Sequence, residues 1–121
     1  MRRAYLAFSW GLVALGVLHM AAGISRYEAL TQSALWFLSG GVAIVLTGAL
    51  NLLNRAYGRS APGVRWVSVG ANIVQSIFAA AAGIVGHART VELVIIVGLL
   101  IGTTVLSALA PTTAVGAAGA A

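Results

Sequence analysis

The stretch 33-SALWFLSGGVAIVLTGALNLL-53 runs for 21 residues without one charged side chain. At about 1.5 Å per residue, a helix of this length covers the ~30 Å hydrocarbon core of a bilayer. A barrel strand needs only about 9–11 residues of alternating pattern, and this run neither alternates nor stops there. Lipid offers the backbone no hydrogen-bond partners, so such a segment has to be a helix. Three further runs match it in length and character: Ala4 to Ile24, Val64 to Gly86 and Thr90 to Ala110. The connections "SRYEALTQ", "NRAYGRSAPG" and "GHAR" are short, which makes consecutive helices antiparallel neighbours. The expected fold is all-α: a polytopic membrane protein, an up-down bundle of four transmembrane helices over residues 1–110. The remainder, 111-PTTAVGAAGAA-121, is small, uncharged and of low complexity, and is expected to be a loosely ordered tail.

Composition agrees. The 121 residues are 60% hydrophobic and 7% charged, against about a quarter charged in a soluble domain. Mean hydropathy is +1.00. The net charge of +5 comes from seven Arg, scattered one to three at a time between apolar runs. That distribution suits a topology signal rather than the continuous basic face of a nucleic-acid binder. Arg2, Arg3, Arg55, Arg59 and Arg65 fall on one side of the bundle, Arg26 and Arg89 on the other. The excess places both termini and the middle connection in the cytoplasm. "MRR" before an apolar run, with "AAG" at 21–23, also has the look of a cleaved signal peptide. Three more spans follow it rather than a secreted domain, which favours retention. With no Cys, disulfides and thiolate chemistry are excluded.

Small and polar residues in membrane helices gather where helices touch. On the first helix Ser9, Gly16, His19 and Gly23 share a face at 100° per residue. On the second, Ser33, Trp36, Gly40, Thr47, Asn51 and Asn54 form a stripe, and on the third Ser68, Asn72, Gln75, Ala79, Gly83 and Gly86 do so. The fourth carries Gly98-x-x-x-Gly102, a close-packing device for a neighbour in the bundle or in a second copy, with Thr103 and Ser107 nearly opposite. The expected polar interior is therefore His19, Trp36, Asn51, Asn54, Asn72 and Gln75. Tyr5, Trp10, Tyr27, Trp36 and Trp66 suit interfacial anchoring.

The amides lie towards one side of the membrane, whereas both His and both Glu lie towards the other: His19 and Glu28 around the first connection, His87 and Glu92 around the third. Arg26 beside Glu28 and Arg89 beside Glu92 read as exposed interfacial pairs. An ionisable residue inside a span is a functional candidate by default, and His19 is the one that qualifies. His19 and His87 together could be axial ligands of a haem slotted between helices one and three. No C-x-x-C-H attachment motif accompanies them, and no H-E-x-x-H or E-x-x-H spacing marks a metal site. With neither Asp nor Lys, and no nucleophile beside a base, an enzyme is not expected.

Four spans in about 120 residues resemble the small multidrug transporters in size. The mark of that family is a membrane-embedded Glu midway along the first helix, where this chain has Ala14 and Leu15. A closer resemblance rests on 16-GVLHMAAG-23 and 34-ALWFLSGGVAIVLTGALNLLN-54. A His near the end of helix one, then L-W-F, spaced glycines and a closing L-N, is similar to a group of uncharacterised small bacterial inner-membrane proteins. The resemblance covers about half of the chain. It implies a four-helix protein without assigned activity and singles out His19, Trp36, Phe37 and Asn51. The expected function is that of a small non-enzymatic membrane protein, an accessory subunit or interaction module, with the bilayer and a membrane protein or second copy as partners. A small oligomeric transporter or channel lined by Asn, Gln and His is the alternative, and a haem or metal protein the second.

Overall fold

A computed structural model describes residues 2–109; the 111–121 tail lies outside the described residues. Four helices account for nearly all of it: α1 (Arg2–Arg26), α2 (Gln32–Tyr57), α3 (Pro62–Val85) and α4 (Thr90–Leu109). All four are long and apolar enough to cross a membrane. α1 outruns its apolar segment by two residues at each end and α2 by four at its C-terminal end, because Arg2, Arg3, Arg26, Asn54, Arg55 and Tyr57 continue the helices beyond the hydrophobic run.

Local chemistry fixes the ends. Thr31 caps α2, its hydroxyl accepting from the Ala34 N–H at 3.2 Å. Pro62 opens α3, where its missing N–H has no helical partner to lose. α3 closes in a Schellman turn, in which the Ala88 N–H donates to Gly83 O at 2.9 Å and the His87 N–H to Ile84 O at 3.3 Å. The left-handed position of that turn, normally glycine, is His87 at φ 50°.

The bundle is two antiparallel hairpins laid together. α1 and α2 make the most intimate pair, α3 and α4 the next, while α1 and α3 share no close backbone approach among the described residues. Small residues at heptad spacing explain the first pair. Ser9, Gly16 and Gly23 on α1, and Ala34, Gly41 and Gly48 on α2, are all buried. A seven-residue repeat keeps one face against a partner that crosses with a left-handed twist. A Cβ placed on Gly16 would lie 2.7 Å from Gly41 O and 2.8 Å from the Val45 N. One on Gly48 would lie 2.9 Å from both Ser9 O and the Val13 N. The helices approach to backbone contact, and only glycine permits it. Midway along the bundle Leu12, Ile44 and Leu100 form a small apolar core, with Leu15, Ala79, Ile96 and Leu99 against it.

Candidate functional site

The sequence places Asn51, Asn54, Asn72 and Ser107 at the end of the bundle where α1 and α3 begin and α2 and α4 finish, and the structure joins them. Asn51 and Asn72 form a reciprocal amide pair: Asn51 Nδ2 donates to Asn72 Oδ1 at 2.7 Å, and Asn72 Nδ2 to Asn51 Oδ1 at 2.9 Å. Asn51 Nδ2 also donates to Thr47 O, and its Oδ1 also accepts from the Tyr5 hydroxyl, each at 2.8 Å. An asparagine side chain has two donor hydrogens and two acceptor lone pairs, and those of Asn51 are all used. Tyr5 in turn accepts from Asn54 Nδ2 at 2.9 Å. Asn72 reaches Ser107 Oγ at 3.4 Å, and Ser107 donates to Thr104 O. Ser68 donates to Leu50 O at 3.0 Å. One connected network thus draws on all four helices, and every side chain named as a member is buried.

Two polar groups stand apart from it. Asn54 Oδ1 is buried without a hydrogen-bond partner among the described residues. Gln75, halfway along α3, is 9% exposed and alone among the buried polar side chains described makes no hydrogen bond. It sits one turn beyond Asn72, next to the apolar core. The network holds neutral amides and hydroxyls with a single phenol, so it can fix helix register but offers no general acid–base pair and no nucleophile with a base.

Several expectations for individual residues are corrected. Trp36 does not belong to the polar interior: it is 64% exposed, and Ser33 beside it is exposed too. Contact with α1 is made instead through Ala34 and Gly41, since the heptad of small residues, not the polar stripe, sets the orientation of that half of α2. Tyr5 is not an interfacial anchor; it is 1% exposed, at the centre of the network. The Gly98-x-x-x-Gly102 pair is divided. Gly102 packs against the Phe8 ring, while a Cβ on Gly98 would meet nothing within 4 Å. α4 faces inward through Leu100, Thr103 and Ser107, the side opposite Gly98. Arg26 and Glu28 form no ion pair among the described residues, nor do Arg89 and Glu92.

The two histidines are not brought to a shared site. His19 is half-buried and stacks on Phe37 with ring centroids 4.0 Å apart and planes 11° from parallel; Tyr27 tilts against the same Phe37 ring at 5.9 Å. His87 is exposed in the α3–α4 turn, held there by its backbone. His19 and His87 make no contact with each other among the described residues, and α1 and α3 share no close backbone approach there. The two best-formed grooves enclose about 180 and 210 Å³, below the ~300–1,000 Å³ of small-molecule sites, and neither is lined by a histidine. No cluster of three or more metal-ligating side chains occurs among the described residues.

The fold and site define a class: a small all-helical bundle with four helices of membrane-spanning length, tied at one end by a buried amide network. Beyond that class, no protein-family model, no curated protein and no solved structure matches the chain.

Proposed function

We propose that this chain is a small, non-enzymatic integral membrane protein that acts through its outer surface, as an accessory subunit or interaction module. Its place is the bacterial inner membrane, with both termini in the cytoplasm; the resemblance of its first half supports the bacterial setting, and the five-to-two division of Arg supports the orientation. The observation that carries the functional reading is the reciprocal Asn51–Asn72 pair within a network whose members bond one another. Polar side chains committed to each other brace helices; a conduit needs them available to a passing solute. What remains for a partner is the perimeter, where large apolar side chains such as Leu18, Leu46, Val74, Ile77 and Ile101 face outward.

The test is recovery from native membranes in mild detergent, with flux measured on the same preparation in vesicles. A defined membrane-protein partner, and no flux above empty vesicles, is the expected result. Flux that disappears in Gln75→Leu or His19→Ala would replace this reading with transport. Gln75 is the observation that favours that second reading, as a largely covered residue near the middle of the bundle whose amide makes no hydrogen bond among the described residues.

A further inference from the structure

The charge of the bundle is segregated by end. Arg2, Arg3, Arg55, Arg59 and Arg65 gather where α1 and α3 begin, and no acidic side chain accompanies them. The opposite end balances Arg26 and Arg89 against Glu28 and Glu92. Arg2, Arg3, Arg59 and Arg65 are all exposed. Arg65, exposed, donates through Nη2 to Ala108 O in the last turn of α4, which holds its guanidinium where the start of α3 meets the end of α4. Trp66, 69% exposed, follows it, and Arg59 lies in the tight connection that leads into α3 at the same end; the backbone there closes through Gly58 N–H to Asn54 O and Ala61 N–H to Tyr57 O, both at 2.8 Å.

Guanidinium groups bind phosphate oxygens through paired N–H donors. Trp favours the headgroup level of a bilayer, and clustered Arg next to a span attract anionic lipid. We infer that the arginine-rich end is a docking surface for the phosphodiester headgroups of anionic phospholipids, centred on Arg59, Arg65 and Trp66. The neutral opposite end has no such preference. The inference rests on the membrane-embedded reading but not on the chain having a protein partner.

Spin-labelled phosphatidylglycerol and phosphatidylcholine, compared in vesicles holding the full chain, report how strongly each associates with the protein. The expected result is a preference for phosphatidylglycerol of up to about fivefold per engaged Arg. It should be largely lost in Arg59→Gln/Arg65→Gln, partly lost in Arg59→Gln, which keeps the Arg65–Ala108 bond, and intact in Arg26→Gln/Arg89→Gln. Equal association of the two lipids overturns the inference, as does an equal loss in the Arg26→Gln/Arg89→Gln protein. Displacement by inorganic phosphate at matched ionic strength would reassign the surface to a free anion and overturn it too. Restricted lipid without preference leaves the membrane-embedded reading standing, whereas no restricted lipid of either kind removes both.

Discussion

The two ends of this bundle are held by different physics. At the arginine-rich end Tyr5, Asn51, Asn54, Ser68, Asn72 and Ser107 tie four helices through directional bonds. At the other, α1 and α2 close on a His19–Phe37 stack, and α3 and α4 are joined by a Schellman turn. Between them lies a short apolar core and the backbone contact of Gly16 and Gly48. In lipid, apolar burial gives helices little reason to choose each other, so hydrogen bonds and close approach must supply the specificity. The first end has the hydrogen bonds, and the second has mainly shape. The first end should therefore be the last part of the bundle to open.

The largest effect is expected from removing the hub. Asn51→Leu leaves Tyr5 and Asn72 short of partners and should cost about 2–3 kcal/mol in a detergent unfolding titration. His19→Leu at the opposite end should cost less than half as much, and an equal cost would erase the contrast. Next come the glycines. Gly48→Ala forces a Cβ against Ser9 O and the Val13 N, and should cost about 1–3 kcal/mol. Gly98→Ala, open on its outer side, should stay within about 0.5 kcal/mol in the same assay. A substantial loss there would mean that Gly98 meets a second copy, visible as a change in oligomeric state.

Smaller effects sharpen the comparison. His19→Phe preserves a ring on Phe37 and should retain most of the stability that His19→Ala loses, about 1 kcal/mol. If His19 instead binds a ligand, His19→Phe would be as damaging as His19→Ala in a functional assay. Gln75→Leu should be neutral or stabilising by up to about 1 kcal/mol, because the side chain it replaces is largely covered and makes no hydrogen bond among the described residues. The smallest change is expected from His87→Gly. Relief of a left-handed residue favours it and the added freedom of glycine when unfolded opposes it, leaving a gain of about 0.5 kcal/mol or less. A clear loss would give the His87 ring a role that the turn does not explain.

Much of this could be read in the amino acids. Four uninterrupted apolar runs predict four helices, since lipid leaves them no other conformation. Asn51, Asn54, Asn72 and Gln75 are placed inside by helical periodicity, and inside is where they lie. What periodicity could not supply is which face wins when a helix has two candidates. On α2 the stripe through Trp36 and the heptad Ala34–Gly41–Gly48 compete, and backbone approach decides for the heptad. The spacing of seven, repeated in Ser9–Gly16–Gly23, was the available signal for that outcome. Tyr5 was hidden for another reason: a tyrosine near a span terminus suits the interface as well as the interior, and only the amides across the bundle settle it. Likewise the His87 backbone, rather than its ring, carries its role in the turn, and side-chain patterns are blind to that.

The most direct measurement is a double-mutant cycle on Asn51 and Asn72, each changed to Leu singly and together, with stability read by unfolding in detergent. If the amides exist to brace the helices, the double variant should be more stable than the sum of the single losses implies, by more than about 1 kcal/mol, because each single change strands the other amide. Losses that add within about 0.5 kcal/mol would contradict a shared network and return these asparagines to a role in which they face a solute rather than each other.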